Sequence, residues 1–185
     1  MKIGVFGGRF DPIHLGHLIH AELLCTDHGL DVVLFVPSFD PPHKPAEADF
    51  DHRFRMTKLG IYKNKRFWIT PLEKQKGGKS YTVNTLMLLQ KIYKNHELYL
   101  IVGADEWKDF DNWKSPEKIM EIAKIIVLPR KDVKIKKKKE VIFPPLPVID
   151  ISSSEIKKRI KQKKSIRYLV PDPVRIYIFK NNLYK

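Results

Sequence analysis

The sequence predicts an α/β fold: a parallel sheet with helices on both faces. Three observations predict it. Short apolar runs recur along the chain at strand length. Amphipathic stretches of helical length separate them. The runs VVLFV (32–36) and YLIV (99–102) stay apolar without alternation, as strands do when both faces are covered.

Each element follows from its own residues. KIGVF (2–6) reads as the first buried strand. HLGHLIHAELLCTDHG (14–29) reads as a helix closed by Gly29, and DVVLFV (31–36) as a strand ended by Pro37. A Pro-rich loop (39–49) leads to a helix over 50–62 and a short strand, RFWIT (66–70). Residues 73–79 read as a loop. The stretch 80–96 is helical, with Val83, Leu86, Leu89 and Tyr93 near one face. ELYLIVG (97–103) is a strand, followed by short helices near 105–110 and 116–122. KIIVLP (124–129) and VIDIS (148–152) complete the strands, and helices over 153–164 and 173–182 close the chain. In open parallel sheets ligands bind beyond the carboxyl ends of the strands. The residues after Phe6, Val36, Val102, Leu128 and Ile151 are therefore the ones to inspect.

Composition narrows the class. At 185 residues the length fits one domain spanning 1–185. The longest apolar runs fall far short of the roughly 18 residues of a membrane span. The first twelve residues reach Gly and Asp too early for a signal peptide. A single cysteine, Cys25, excludes an internal disulfide and a Cys-based zinc site. The expectation is a cytoplasmic protein with no membrane partner. The formal net charge is +14, and two stretches, 131–139 and 155–167, carry 11 of those charges. Such tracts fit either solvated surfaces or attraction of an anionic ligand, and charge alone does not choose.

The chemistry concentrates after the first strand, in GGRFDPIHLGH (7–17). Gly7 and Gly8 allow close approach of a ligand to backbone, and Pro12 stiffens the loop. His14 and His17 are three apart on the first turn of a helix and share a face, and Gly16 between them leaves room for a bulky ligand. A helix N-terminus with added imidazole donors suits phosphate. Zinc binding by His14 and His17 lacks a third ligand nearby, and a surface pair of histidines is the plainer alternative. The segment does not fit G-x-G-x-x-G. GGKS (77–80) is not a Walker A loop, because Glu73 stands where its first glycine belongs. A second anion site is legible at ISSSEIKKRI (151–160). Ser152 and Glu155 form a capping-box pattern, Ile156 and Ile160 face the core, and Ser153, Ser154 and Lys157 cluster outward at the helix start. An ordinary capped helix with a basic face would read the same way.

At this point the residues carry a family resemblance. GRFDPIHLGH (8–17) resembles the signature of the nucleotidyltransferases related to class I aminoacyl-tRNA synthetases, whose H-x-G-H motif holds ATP phosphates. PPHK (41–44), SYTVNTL (80–86), GAD (103–105) with Trp113, PR (129–130), ISSSEIKKRI and YLVPDPVRIYI (168–178) resemble the bacterial nicotinate-nucleotide adenylyltransferases, in the family's order over essentially the whole length. The resemblance implies a Rossmann-like nucleotidyltransferase fold. It implies transfer of AMP from ATP to nicotinate mononucleotide, by in-line attack on the α-phosphate without a covalent intermediate. His14 and His17 would then be the catalytic pair, within a loop that includes Gly7, Gly8, Phe10 and Gly16. Lys44, Gly103, Asp105 and Arg130 would serve the ATP side, with Ser153, Ser154 and Lys157 on the β- and γ-phosphates. Thr82, Trp113 and Lys114 would hold the nicotinate mononucleotide, the tryptophan by stacking. For Asp105, ribose contact, support of a metal-bound phosphate and helix capping all stay open. Mg²⁺ would arrive with ATP, and no residue is assigned as a metal ligand of the protein. The partners are ATP and nicotinate mononucleotide. No nucleic acid is expected, because no RNP, helix-turn-helix or zinc-finger pattern appears. A homo-oligomer is compatible with the sequence. Three positions depart from the family's usual residues: Lys157 for Arg, Arg9 for Ser or Thr, and Lys114 for Tyr. Lys keeps the charge of Arg and loses its bidentate fork.

Overall fold

A computed structural model describes residues 1–42, 45–133 and 138–185. Six strands form one parallel sheet: β1 (Lys2–Gly8), β2 (Val32–Pro37), β3 (Phe67–Ile69), β4 (Glu97–Gly103), β5 (Lys124–Leu128) and β6 (Val141–Ile142). Their order is β3-β2-β1-β4-β5-β6, with every pairing parallel. The helices are α1 (Leu15–Thr26), α2 (Phe50–Ile61), α3 (Leu72–Lys76), α4 (Thr82–Ile92), α5 (Ala104–Lys108), α6 (Pro116–Ile122), α7 (Ser153–Lys161) and α8 (Asp172–Lys180). A 3-10 turn spans Phe110–Asn112.

The unbroken apolar strands are explained by two cores. Side chains alternate across each strand, and both sides are covered. Val33 and Phe35 of β2 join Phe6, Tyr99, Ile101, Ile126 and Leu128 in one core, with Leu24, Met56, Ile156, Val174 and Ile178 from α1, α2, α7 and α8. Val32, Leu34 and Val36 join Ile3, Val5, Leu100, Ile125 and Val127 in the other, with Val83, Leu86, Trp107 and Ile119 from α4, α5 and α6. Each fully buried side chain of this size contributes about 1.5–3 kcal/mol of transfer free energy, so neither face of the sheet is left open.

Gly29 adopts φ +72° just past α1, where only glycine is unstrained, so the expected stop holds. Two expectations fail. Residues 148–152 form no strand; they run extended past the sheet toward α7, with Val148 54 % exposed. Pro144, Pro145 and Pro147 precede this stretch and lack the N–H a ladder needs. The sixth strand is instead Val141–Ile142, pairing with Ile125 and Ile126. The loop expected at 73–79 begins with α3. That short helix buries Glu73, whose carboxylate accepts from the Phe39 N–H (3.2 Å) and the Thr85 hydroxyl (2.7 Å). No helix among the described residues is long and apolar enough to cross a membrane.

Candidate active site

The sheet order reverses direction between β1 and β4, and a crevice opens there beyond the carboxyl ends of the strands. A cavity of about 390 Å³ occupies it. Its floor comes from the ends of β1, β4 and β5 (Gly7, Gly8, Gly103, Leu128), one wall from α1, and the other from the 149–152 segment and the start of α7. Of the five positions expected to matter, those after Phe6, Val102, Leu128 and Ile151 line it. The end of β2 does not.

His14 is the residue before α1, and His17 is on its first turn. Their rings stack with centroids 3.6 Å apart. The His14 backbone N–H donates to His17 Nδ1 at 3.2 Å. The neutral His17 ring therefore carries its proton on Nε2, which is left as a donor. The edges of Phe6 and Phe10 close around His17, with centroids 5.7 and 5.2 Å away. His14 is buried, and its Nδ1 has no hydrogen-bond partner among the described residues. Burial first, then the charges of Arg130 and His20, push the His14 pKa down to about 3. Burial, His14 and Arg130 likewise hold His17 well below the usual range. Both imidazoles are thus neutral donors at pH 7 in the ligand-free chain.

The glycines have more specific reasons than loop freedom. A side chain on Gly7 would meet nothing within 4 Å and would project into open space at the cavity. On Gly8 it would strike the Phe10 ring at 3.2 Å. On Gly16 it would stand 3.1 Å from His14 Nδ1, so the space over Gly16 belongs to the imidazole rather than directly to a ligand. Phe10 itself is buried and holds φ +46°.

Opposite stands α7. Ser152 Oγ accepts the Glu155 N–H at 3.2 Å, as the capping pattern predicts. Ser153 Oγ donates to the Pro12 carbonyl at 2.9 Å, which ties α7 to the histidine loop. Ser154 is exposed at the cavity edge. Lys157 lines the cavity, but its Nζ is engaged by Asp11 (3.1 Å) and Glu47 (3.2 Å). Arg130, just past β5, spans toward Asp105 (3.7 Å) and the Ile151 carbonyl (3.4 Å). Arg9 and Lys131 add further positive charge to the lining. Gly103 ends β4, and its N–H donates to Glu106 at 2.9 Å. Such a wall of cations and neutral donors suits a polyphosphate.

Thr82, Trp113 and Lys114 do not line this cavity. They form a second group. Thr82 opens α4, Trp113 follows the 3-10 turn with its half-buried ring 5.4 Å from Phe110, and the Lys114 ammonium lies 4.5 Å from the Tyr81 ring centre. The Thr82 and Lys114 N–H groups have no acceptor among the described residues. Lys44 lies outside the described residues, as do Lys134, Ile135, Lys136 and Lys137 of the Lys-rich tract. Among the described residues no cluster of three or more His, Cys, Asp or Glu side chains could hold a metal ion.

Comparison with known proteins gives the chain its family. The profile of the cytidylyltransferase-like family matches residues 5–159. A protein of Thermus thermophilus named probable nicotinate-nucleotide adenylyltransferase is 41 % identical, with all of both chains covered. The nicotinate-nucleotide adenylyltransferase of Bacillus subtilis is 37 % identical over all of this chain and 98 % of its own. The chain belongs to this family. Among solved structures, nicotinic acid mononucleotide adenylyltransferase of Plasmodium falciparum in complex with NaAD superposes with a TM-score of 0.82 at 24 % identity. That match covers 99 % of this chain and 97 % of the other, and it supports the fold.

Some residues in or behind this cavity escaped the sequence reading. His20 lines the cavity one turn beyond His17 and bonds the Pro147 carbonyl through Nε2 at 2.9 Å. The 14, 17, 20 spacing was the available signal. Asp11 is buried in the motif itself. Burial alone would raise its pKa, but the Glu47 N–H, the Tyr184 hydroxyl and Lys157 together hold it below the usual value. The fully buried Arg53 donates to the Arg9 carbonyl (2.8 Å) and the Ala48 carbonyl (2.9 Å), fixing the loop from behind. No local pattern marks Arg53.

Proposed function

We propose that the chain, acting as one domain over residues 1–185, transfers the adenylyl group of ATP to nicotinate mononucleotide, releasing pyrophosphate and forming deamido-NAD. The observation that carries this reading is the stacked, neutral His14–His17 pair facing the N-terminus of α7 across the cavity at the sheet's switch point. Full-length relatives of that name support the acceptor.

A phosphate oxygen of the mononucleotide attacks the α-phosphorus of ATP in line. Its P–O bond forms as the bond to the bridging oxygen of pyrophosphate breaks. The nucleophile is ionised at pH 7, so no general base is needed, and catalysis is positioning plus stabilisation of charge. His17 Nε2–H donates to a phosphoryl oxygen near the reacting centre, and His14 packs it in place. Ser154, Lys157 and, once released from Pro12, Ser153 hold the outer phosphates. Arg130 and Gly103 flank the nucleotide. The Thr82 and Lys114 N–H groups receive the nicotinate carboxylate beside Trp113. A divalent cation bound with the triphosphate would supply further charge neutralisation, and the exposed Asp105 carboxylate, 3.7 Å from Arg130, would be the cavity-lining group available to support it.

The test is pyrophosphate release from ATP and Mg²⁺, with nicotinate mononucleotide, nicotinamide mononucleotide and phosphopantetheine supplied separately. Preference for nicotinate mononucleotide is the expected result. Preference for the amide would remove the carboxylate site at Thr82 and Lys114. Turnover with phosphopantetheine alone would overturn the acceptor and leave the H-x-G-H chemistry standing.

A further inference from the structure

Asp11 is 3 % exposed and is met by four donors from distant parts of the chain. Its Oδ2 accepts from the Glu47 N–H at 2.8 Å and from Lys157 Nζ at 3.1 Å. Its Oδ1 accepts from the Ala48 N–H at 3.2 Å and from the Tyr184 hydroxyl at 2.7 Å. Of these donors only Lys157 lines the cavity. Lys157 is shared with Glu47 Oε2 at 3.2 Å, and Glu47 keeps a second partner, Lys161, at 3.0 Å. Two of the three ammonium N–H groups of Lys157 are thus held by carboxylates, and turning the ammonium fully to an anion in the cavity means leaving them. Glu47 is half-exposed and stays paired. Asp11 is buried, and a buried carboxylate short of donors is strongly disfavoured. After Lys157 leaves, Asp11 keeps two backbone N–H groups and one side-chain donor among the described residues, the hydroxyl of Tyr184.

We infer that Tyr184 is a positioning residue for ATP: its hydroxyl satisfies Asp11 when Lys157 turns from Asp11 to the triphosphate. The inference rests on the reading of Lys157 as a triphosphate ligand. The chain terminus is folded to permit it. The Leu183 N–H donates back to the Ile178 carbonyl at 3.1 Å, and Tyr184 holds φ +63°. That turn sends the buried ring under the Lys157 ammonium, 5.7 Å away, and brings its hydroxyl to 4.0 Å from Met56 Sδ. Burial and the neighbouring Asp11 push the phenol pKa up, so the group stays a donor. Tyr184 does not line the cavity and acts through Asp11 and Lys157.

Tyr184→Phe keeps the ring beside Lys157 and removes the hydroxyl, with its bond to Asp11 and its contact with Met56 Sδ. Initial rates of pyrophosphate release are measured with ATP and acceptor varied separately, and thermal unfolding is followed on each variant. The expected result is a KM for ATP raised about tenfold, the scale of one charge-assisted hydrogen bond, with kcat and the acceptor KM within about twofold. In a Lys157→Met background the same substitution is expected to leave the ATP KM unchanged, because the lysine it acts through is gone. A purely structural role would raise both KM values, or would persist in that background, and either result overturns the inference. Glu47→Gln frees Lys157 from its other carboxylate. It is expected to lower the ATP KM, alone and combined with Tyr184→Phe, and a raised or unchanged value counts against the inference even where Tyr184→Phe fails to fold. An unchanged ATP KM in Lys157→Met alone would sink the triphosphate reading of Lys157 itself, a failure separate from that of Tyr184.

Discussion

Gly16→Ala separates stability from turnover. The new methyl would stand 3.1 Å from His14 Nδ1, 3.2 Å from His14 Cε1 and 3.5 Å from Ile149 Cγ2. The first two contacts are closer than ordinary packing, so the imidazole must shift by a few tenths of an ångström. It cannot shift alone, because its ring is buried and stacked on His17 at 3.6 Å. The displacement therefore reaches both rings proposed to act on the phosphates. Alanine favours helix over glycine by up to about 1 kcal/mol, so the fold is expected to hold or gain. Misplacement of a catalytic group by about 1 Å can lower the rate on the order of a hundredfold, so a few tenths of an ångström at two rings corresponds to roughly tenfold in kcat. The assay is pyrophosphate release at saturating ATP and nicotinate mononucleotide, with thermal unfolding of the same samples. A Tm equal to or above the parent's, with turnover down about tenfold, is the expected pair of results. Turnover within about twofold of the parent would refute the argument that imidazole placement limits the reaction.

Three further outcomes are expected. His17→Ala should lower kcat at least about tenfold with the fold intact, by removing the Nε2–H donor; unchanged turnover would end its proposed role. His14 has a folded pKa near 3 against a usual 6.5, so the unfolded chain binds the extra proton between those values. Stability is full above about pH 6.5 and falls on acidification, by about 2 kcal/mol at pH 5 from this residue. His14→Asn should flatten Tm against pH over pH 5–6.5, and an unaltered slope would show that His14 protonates normally in the fold. Gly7→Ala adds a methyl that touches no protein atom within 4 Å, so Tm should hold while the KM for ATP rises; an unchanged KM would place the nucleotide elsewhere in the cavity.

The sheet was legible because parallel strands buried on both faces need unbroken apolar runs, and these residues supply them. Two departures have one cause between them: local pattern does not report pairing. VIDIS has strand composition, but the prolines before it and the need to cross to α7 keep it off the sheet, while the two-residue strand Val141–Ile142 is too short to show a period. At residues 72–76 a charged, Gly-flanked stretch reads as loop. What makes it helical is Glu73, buried to receive the Phe39 N–H and the Thr85 hydroxyl, partners 34 and 12 residues away.

The candidate site divides the same way. His14, His17 and Gly16 were readable because their chemistry is local: a helix start, a shared face, and a missing side chain between them. Even there the reason for Gly16 was misplaced, since its space is filled by His14. The supports behind the motif come from afar. Arg53 reaches back 44 residues to the Arg9 carbonyl, Lys157 146 to Asp11, and Tyr184 173 to the same carboxylate. A penultimate tyrosine carries no signal in the sequence. Only the fold shows that its hydroxyl ends on the loop that presents the histidines. On the inference that this hydroxyl supports Asp11, removing Tyr184 and Lys185 should raise the ATP KM, read from initial rates, before it unfolds the sheet, read from thermal melts; an unchanged ATP KM would count against it.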